Sequence, residues 1–311
     1  MGLKELQKRY LDRAPALGLV GGTPLVRVNL FTDEFPELEV YAKVEAFNPG
    51  GSLKDRPVMY MLLDALDKGE LEGKTILDSS SGNAGIAYAW LGGALGVPVK
   101  LVIPDNASAE RKKRIWAHGA EIHFTSAQDG YDEALREVRR MAQDEPDRYF
   151  FSDQYGNPKN WQAHYETTAE EILEQTEGRL THFVCGVGTG GTITGVGRRL
   201  KEHDSSIRVE CVVPDAFPGV EGLKPLKDEH DIVPAILDKS VIDHMWDLDV
   251  DKGWEMSQRL AKEGLFGGQS TGGYFAGVHE VASKIDGRGV IVTLVNDIGE
   301  RYMSTRLWDG G

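Results

Sequence analysis

The chain has 311 residues, of which 41% are hydrophobic and 27% charged, enough apolar material for one large domain or two smaller ones. Its net charge of −14 argues against nucleic acid or an anionic membrane surface as the main partner. No stretch approaches the length of a membrane span and the N-terminus has no apolar signal region, so we expect a cytoplasmic protein.

The cysteines and histidines show no pattern of a reactive or metal-binding site. Cys185 and Cys211 each lie inside an apolar run, where a thiol is usually an inert core residue. The lack of a CxxC pair or a disulfide framework fits a reducing compartment. The eight histidines lack metal-ligand spacing, so no metal site is predicted.

Short apolar runs alternate with helical patterns along most of the chain. Strands are predicted at residues 39–46, 75–79, 98–103, 120–124, 181–185, 207–213 and 289–295. Helices are predicted at residues 54–68, 83–95, 108–118, 130–144, 160–175, 192–203, 251–263 and 272–285. This alternation predicts an α/β fold with doubly wound, mainly parallel sheets, which bind ligands at the carboxyl ends of their strands.

The first candidate site residue is Lys54, which follows the turn Asn48-Pro49-Gly50-Gly51 and precedes the apolar helical pattern of residues 58–63. A lysine at the mouth of a buried helix is expected to be desolvated, which lowers its pKa and makes its amine a nucleophile or a base. The alternative is a solvated lysine near a helix start. Two glycine-containing loops further along the chain favour the reactive lysine.

Both loops have the composition of anion-binding sites. Residues 79–85, Ser-Ser-Ser-Gly-Asn-Ala-Gly, place backbone N–H groups at a helix start where a carboxylate can bind, although a serine N-cap explains this pattern equally well. Residues 186–192, Gly-Val-Gly-Thr-Gly-Gly-Thr, offer backbone amides and two hydroxyls to a phosphate. The second loop also matches G-x-G-x-x-G, but the next strand ends in Asp215, beyond the spacing of about twenty residues expected in a dinucleotide site.

A fourth segment, residues 267–273, puts Ser270 and Thr271 at the start of another predicted helix, where each is either a cap or a ligand contact. A nucleophilic amine, a carboxylate-binding loop, a phosphate-binding loop and a neutral hydroxyl together fit one aldehyde cofactor. That cofactor is pyridoxal 5′-phosphate.

At these motifs the sequence resembles the cysteine synthase family of fold-type II (tryptophan synthase β-like) pyridoxal-phosphate enzymes, over nearly the whole chain. Residues 51–56 are similar to the family's lysine segment, residues 81–83 to its substrate loop and residues 188–192 to its phosphate loop. The segment Gln154-Tyr155-Gly156-Asn157-Pro158 is most similar to the B-type branch, which includes the O-phosphoserine sulfhydrylases.

The resemblance implies a homodimer of two-domain subunits. Residues 1–44 and 153–311 would form a large domain that binds the cofactor phosphate. Residues 45–152 would form a smaller, mobile domain that carries Lys54 and the substrate loop.

The resemblance also implies a role for each candidate residue. Lys54 would bind the cofactor as a Schiff base and then remove the α-proton of the substrate. The remaining cofactor contacts would be Asn83 at the ring oxygen, Ser270 at the pyridine nitrogen, and Gly188, Thr189, Gly190, Gly191 and Thr192 at the phosphate. The substrate carboxylate would bind to Ser80, Ser81, Gly82, Asn83 and Gln154.

The reaction implied is β-replacement, in which a sulfur nucleophile converts an O-activated serine into L-cysteine. A neutral serine at the ring nitrogen makes the cofactor a weaker electron sink than a carboxylate would, which favours loss of a β-leaving group. Lys224 and Lys227 lie in a segment that faces the active site in this family, and either would bind the phosphate of O-phosphoserine or be a solvated loop lysine. The sulfur source is expected to be sulfide, with thiosulfate or a carrier thiocarboxylate as alternatives.

Three departures from the family pattern leave the donor substrate open. Ala84 replaces a common threonine, and Asn296 and Ile298 stand where proline and serine are more usual. A cystathionine-forming relative or a β-lyase is therefore an alternative. An NAD-dependent oxidoreductase would leave Lys54 unexplained, and a non-catalytic binding protein would not need the lysine, the asparagine and both loops together.

Overall fold

The computed structural model describes residues 1–128, 130–214, 219–226 and 233–309, without the side chains of residues 130–132. These residues form two compact units. The first unit comprises Met1–Val20, Asn48–Gly50 and Lys54–Asn160, and the second comprises the described parts of Gly21–Phe47, Gly51–Leu53 and Trp161–Gly311.

The helices and strands alternate along the chain as the apolar pattern predicts. The strands are β1 (Leu25–Val28), β2 (Leu38–Val44), β3 (Thr75–Asp78), β4 (Val99–Pro104), β5 (Glu121–Thr125), β6 (Tyr149–Phe151), β7 (His182–Gly186), β8 (Arg208–Pro214), β9 (His244–Leu248) and β10 (Gly289–Val295). The α-helices are α1 (Leu3–Tyr10), α2 (Asp55–Asp67), α3 (Asn83–Leu95), α4 (Ala109–Ala117), α5 (Gly130–Asp144), α6 (Lys159–Ala163), α7 (Ala169–Gln175), α8 (Gly191–His203), α9 (Val250–Lys262) and α10 (Gln269–Ala282). A π-helical turn, His164–Thr168, joins α6 to α7. Short 3-10 helices lie at Pro15–Leu19, Glu45–Phe47, Lys239–Val241, Gly299–Tyr302 and Arg306–Trp308.

The sheet of the first unit has the strand order β5-β4-β3-β6, and all of its strands are parallel. Strand β3 is central, and its apolar residues Ile76 and Leu77 are fully buried because helices cover this part of the sheet. On one face, Leu135 and Val138 of α5 belong to the same apolar cluster as Leu77. The carboxyl end of β3 leads directly into the loop that precedes α3.

The sheet of the second unit has the strand order β1-β2-β10-β7-β8-β9, with only β1 antiparallel to its neighbour. Every residue of β10 is buried, as expected for a central parallel strand of which five of the seven residues are Val, Ile or Leu. The carboxyl end of β7 leads into residues 187–190, and that of β10 leads into Asn296. Both ends are where a doubly wound sheet binds its ligands.

All seven strands predicted from the sequence are confirmed, and the α/β fold with mostly parallel sheets is confirmed with them. The sequence pattern missed β1, β6 and β9, which are short strands or, in β9, a largely exposed one at the edge of its sheet. The single helix predicted at 160–175 is interrupted by the π-helical turn. None of the described helices combines the length and the apolar character that a membrane crossing requires.

The division into units differs from the boundaries expected from the sequence. Residues 1–20 and 153–160 belong to the first unit and not with the large domain, whereas residues 45–47 and 51–53 belong to the second unit and not with the smaller domain. The N-terminal segment is held there by hydrogen bonds. Arg13 Nη2 donates to the carbonyl oxygen of Leu95 at 2.5 Å, and Arg9 forms an ion pair with Asp67. No short sequence pattern signals these contacts, since they join residues far apart along the chain.

Candidate active site

Lys54 lies directly before α2, which it opens with helical backbone angles of φ −70° and ψ −18°. Its carbonyl oxygen accepts the N–H of Val58 at 3.1 Å, the first hydrogen bond of the helix. The first nine residues of α2 are buried, whereas Lys54 itself is partly exposed. The lysine thus stands at the mouth of a buried helix, as the sequence predicts, with a route to solvent.

The turn before Lys54 is fixed by the buried carboxylate of Asp55. One carboxylate oxygen accepts the backbone N–H of Gly50 at 2.5 Å, and the other accepts Trp90 Nε1 at 3.1 Å. A Cβ on Gly50 would lie 2.7 Å from Trp90 Nε1 and would overlap Asp55, so only glycine fits there. Arg114 also donates to the carbonyl oxygen of Pro49 at 3.3 Å. These contacts hold the start of α2, and therefore the backbone of Lys54, in one place.

The predicted substrate loop connects β3 to α3, which begins at Asn83. The N-cap of α3 is Gly82, and no side chain caps this helix among the described residues. Ser80 Oγ instead accepts the backbone N–H of Gly82 at 3.3 Å, inside the loop. The alternative interpretation of the serines as helix caps is therefore wrong. Ser81, Gly82 and Asn83 are partly exposed, so a ligand can reach the start of α3.

Gln154 follows β6 and is buried against the base of this loop. Its Nε2 atom lies 3.4 Å from the carbonyl oxygen of Ser79 and 3.5 Å from Asp78 Oδ1. The backbone carbonyl of Gln154 accepts Asn160 Nδ2 at 2.6 Å, which fixes the position of Gln154. The first unit thus brings Gln154 together with the substrate loop, although the two are far apart in the sequence.

Asp78, at the end of β3, was missed by the sequence analysis. It is only 2% exposed, and its Oδ1 atom accepts the backbone N–H of Ser79 at 2.7 Å. Burial raises the pKa of Asp78 to about 6, although hydrogen bonds from Ser79 and Gln154 oppose the rise. A carboxylate at the end of the strand Thr75-Ile76-Leu77-Asp78 is the signal that could have identified it.

Replacing Asp78 with asparagine should stabilise the protein at pH 8. The raised pKa means that Asp78 favours folding below its ordinary pKa of 3.8 and that this contribution is lost as the pH rises through about 6. Asparagine keeps the acceptor for Ser79 without the buried charge, so the free energy of unfolding should rise by roughly 2–3 kcal/mol at pH 8. The gain should shrink toward zero near pH 4, as urea unfolding across this range would measure.

The matched control is Asp147→Asn, which changes an exposed carboxylate of the same unit. Its effect on the free energy of unfolding should stay within about 0.5 kcal/mol at both pH values. A stabilisation by Asp78→Asn that does not depend on pH would contradict the assignment of a raised pKa to Asp78.

In the second unit, the predicted phosphate loop connects β7 to α8. The N-cap of α8 is Gly190, whose φ of +83° is a conformation that favours glycine. A Cβ on Gly188 would lie 2.6 Å from the carbonyl oxygen of Gly222, so this position also requires glycine. Thr189 and Thr192 are buried beside these glycines. Backbone amides and hydroxyls at the N-terminus of a thirteen-residue helix form a suitable site for a phosphate.

His164 supports this loop and was also missed by the sequence analysis. Its ring is 1% exposed, with Nε2 3.3 Å from Thr192 Oγ1 and Nδ1 2.9 Å from Thr168 Oγ1. His164 begins the π-helical turn, which lets its ring reach α8. The ring therefore orients the hydroxyl of Thr192. The sequence signal is weak, because a lone histidine inside a helical pattern is usually a core residue.

Ser270 lies in the first turn of α10, and it does not cap that helix. The N-cap is Gly268, and Ser270 Oγ accepts Asn296 Nδ2 at 2.9 Å. Thr271 Oγ1 accepts the backbone N–H of Asn296 at 3.0 Å. The helix begins at Gln269 rather than at residue 272, because the glycines around Ser270 continue into the helix. The capping interpretation of these hydroxyls is therefore wrong.

Lys224 lies on a segment attached to the phosphate loop. Its backbone N–H donates to the carbonyl oxygen of Val187 at 2.8 Å, and its side chain is partly exposed. Lys227 falls outside the described residues.

The two cysteines have the character of core residues. Burial raises the pKa of the Cys185 thiol well above its ordinary value and that of Cys211 to about 12, so both are protonated near neutral pH. Within the described ranges, no group of three or more His, Cys, Asp or Glu side chains is arranged to hold a metal ion.

The side chains and backbone groups described above are those that a phosphorylated aldehyde cofactor with a ring nitrogen needs. In the second unit, the backbone of residues 188–190 leads into the N-terminus of α8, where its amides can bind a phosphate, and Gly190 is the N-cap of that helix. The same unit offers a neutral hydroxyl, Ser270, and the first unit offers the amine of Lys54. Pyridoxal 5′-phosphate needs these three kinds of group.

Comparison with known proteins agrees with this chemistry. Residues 16–297 match the family model described as pyridoxal-phosphate dependent enzyme. The cysteine synthase of Aquifex aeolicus is 47% identical over 95% of this chain and 92% of its own length, and cysteine synthase B of Escherichia coli is 36% identical over 92% and 93%. The crystal structure of the cysteine synthase of Entamoeba histolytica superimposes with a TM-score of 0.89 at 34% identity, covering 95% of this chain and 90% of that one. The chain therefore belongs to the pyridoxal-phosphate-dependent enzymes and, among them, to the cysteine synthase family.

Proposed function

We propose that this enzyme forms L-cysteine by β-replacement, in which a sulfur nucleophile takes the place of the oxygen leaving group of an O-activated L-serine. With O-acetylserine and hydrosulfide the products are L-cysteine and acetate, which balances atoms and charge. The observation that carries the proposal is Ser270. A neutral hydroxyl in the position assigned to the ring nitrogen suits elimination at the β-carbon better than a carboxylate would.

Bound pyridoxal phosphate supplies an electron sink that stabilises negative charge at the substrate α-carbon. In the proposal, Lys54 Nζ would hold the cofactor covalently and, as the free amine once the substrate amino group has replaced it there, would accept the α-proton. Residues 188–192 would bind the phosphate of the cofactor, and Asn83 would bind its ring oxygen. Support for the phosphate contact comes from the N-terminus of α8, which begins directly after Gly190, and from the Thr192 hydroxyl, which His164 orients.

The substrate carboxylate is assigned to the loop of residues 80–83 and to Gln154. The supporting observation is that the partly exposed start of α3 has a glycine N-cap without a capping side chain, so that its dipole favours a negative charge there. Gln154 is held at the base of the same loop through its contact with Ser79. The loop backbone and Gln154 would therefore orient the amino acid for proton removal at its α-carbon.

The assembly and the cellular compartment are part of the same proposal. The family resemblance supports a homodimer, which light scattering of the holoenzyme would test by showing twice the chain mass. Cys185 and Cys211 lie opposite each other on the neighbouring strands β7 and β8, and both are free thiols. Two adjacent thiols that stay unbridged support a reducing cytoplasm.

The reaction is tested with purified holoenzyme by measuring L-cysteine formed from O-acetylserine and sulfide. Parallel reactions contain O-phosphoserine and sulfide, serine and homocysteine, or cysteine alone. The proposal predicts cysteine from at least one O-activated serine, at a rate far above the rates of cystathionine or pyruvate formation. Cystathionine as the main product, or pyruvate from cysteine alone, would instead show a cystathionine-forming enzyme or a β-lyase.

If Lys224 binds the donor phosphate, Lys224→Ala should lower kcat/KM for O-phosphoserine by about tenfold to a hundredfold and leave kcat/KM for O-acetylserine within twofold. A hydrogen bond to a charged group contributes about 1.5–3 kcal/mol, which sets this magnitude. Support comes from the attachment of Lys224 to Val187, directly before the phosphate loop. Steady-state kinetics with both donors, with Lys227→Ala in parallel, would measure the effect.

The control is Lys239→Ala, which removes an exposed lysine of the second unit. Its kcat/KM should be unchanged with either donor. Equal losses on both donors in the Lys224 and Lys227 variants would exclude a specific role in binding the donor phosphate.

A further inference from the structure

Asn296 is held in a single orientation at the carboxyl end of β10. It is 3% exposed. Its backbone N–H donates to Thr271 Oγ1 at 3.0 Å, and its carbonyl oxygen accepts the backbone N–H of Leu53 at 2.9 Å. Its side-chain amide then donates through Nδ2 to Ser270 Oγ at 2.9 Å. With the main chain fixed on both sides, the amide has little freedom to turn away from Ser270.

The direction of this hydrogen bond determines what the Ser270 hydroxyl can do. A serine hydroxyl carries one O–H donor and two acceptor lone pairs. Because Asn296 occupies one acceptor position, the O–H of Ser270 stays available to donate to another group. An amide turned the other way would take that proton for its own oxygen.

The surroundings of Asn296 contain an unused acceptor and a neutral phenol. Asn296 Oδ1 is buried without a hydrogen-bond partner among the described residues, so it can accept a hydrogen bond from a bound group. Burial raises the pKa of Tyr274, so this phenol is neutral, and its hydroxyl lies 3.5 Å from the carbonyl oxygen of Gly186. Neither side chain therefore brings a charge next to Ser270.

We propose that Asn296 is a positioning residue that fixes Ser270 as a hydrogen-bond donor toward the ring nitrogen of pyridoxal phosphate, and so keeps that nitrogen unprotonated. The inference rests on the proposed function only in assigning the ring nitrogen to Ser270. A nitrogen that accepts a hydrogen bond uses its lone pair and does not take a proton. Asn296 would then set the electron demand of the cofactor without contacting the reacting atoms.

The direct test uses apoenzyme reconstituted with pyridoxal phosphate that carries nitrogen-15 in its ring. In the wild type, the nitrogen-15 chemical shift should be that of a neutral, hydrogen-bonded pyridine at neutral pH. In Asn296→Asp, the carboxylate should accept the Ser270 proton, and the shift should move toward the value of a protonated ring. An identical shift in the two proteins would overturn the proposal.

A thermodynamic cycle separates positioning from a general structural effect. Asn296→Ala should weaken cofactor binding about fivefold to tenfold, which corresponds to one hydrogen bond of about 1 kcal/mol. The same change made in the Ser270→Ala protein should have almost no effect, because the hydroxyl that it positions is already absent. Equal weakening in both backgrounds would show a structural role and overturn the proposal.

Both measurements are made without substrate, so they do not depend on which product the enzyme forms. If Asn296→Asp fails to fold, as judged by circular dichroism, the alanine cycle alone decides. If the wild type does not bind pyridoxal phosphate, the proposed function fails first and this inference fails with it. If the wild type binds pyridoxal phosphate and Asn296→Ala weakens that binding equally with and without the Ser270 hydroxyl, only the role of Asn296 is wrong.

Discussion

Lys54→Ala should lower kcat for cysteine formation by about 10³-fold or more, because one side chain performs two tasks in the proposed reaction. It holds the cofactor covalently, and it moves the α-proton. Alanine removes the amine without disturbing α2, since Lys54 contributes its carbonyl oxygen, not its side chain, to the first hydrogen bond of that helix. Steady-state assays would measure kcat, and NMR in deuterated water would measure exchange of the substrate α-proton.

The matched control is Lys68→Ala, at the opposite end of α2. Lys68 is exposed and pairs with Asp64 at 2.6 Å, so its loss should change kcat by less than twofold. The Lys54 variant should still bind pyridoxal phosphate through residues 188–192, but borohydride should no longer attach the cofactor to the protein. Retention of α-proton exchange at more than a tenth of the wild-type rate would assign the base to a different residue.

The sequence predicted those parts of the fold and the site that depend on local pattern. The central strand β10 is a continuous apolar run because helices and neighbouring strands cover it fully, and such runs can be recognised without a structure. The helix starts that follow Lys54 and Gly190 were predicted for a similar reason. The glycines at 188 and 190 are required by close approach or by backbone conformation, and the sequence records that requirement directly.

The supporting residues could not be predicted in this way, because their contacts or their burial depend on segments that are distant in the sequence. His164 reaches Thr192 only because a π-helical turn interrupts a helix that the apolar pattern predicts to be continuous. Asn296 was recognised as a departure from the family pattern, but its hydrogen bond to Ser270 depends on the packing of β10 against α10. Asp78 ends a strand, and its raised pKa comes from burial that only the folded unit provides.

Gly195→Ala should destabilise the enzyme by about 2–3 kcal/mol and weaken cofactor binding about tenfold, because α8 packs against the π-helical turn at this glycine. A Cβ on Gly195 would overlap the carbonyl oxygen of Trp161 and would lie 2.8 Å from the backbone nitrogen of Tyr165. Backbone atoms cannot move aside as a side chain can, so the turn and the helix must separate. His164 would then lose its contact with the hydroxyl of Thr192 in the phosphate loop.

Gly197→Ala is the matched control, because it adds the same methyl group to the same helix two residues later. Its Cβ would meet the side chain of Val241 at 2.8 Å, and a side chain can shift. Both substitutions gain the helix propensity of alanine over glycine, about 1 kcal/mol, so the difference between them isolates packing against the turn. Urea unfolding of the holoenzyme and fluorescence titration of the apoenzyme with pyridoxal phosphate would measure the two effects. Equal stability and equal cofactor affinity in the two variants would show that α8 does not depend on close contact with the π-helical turn.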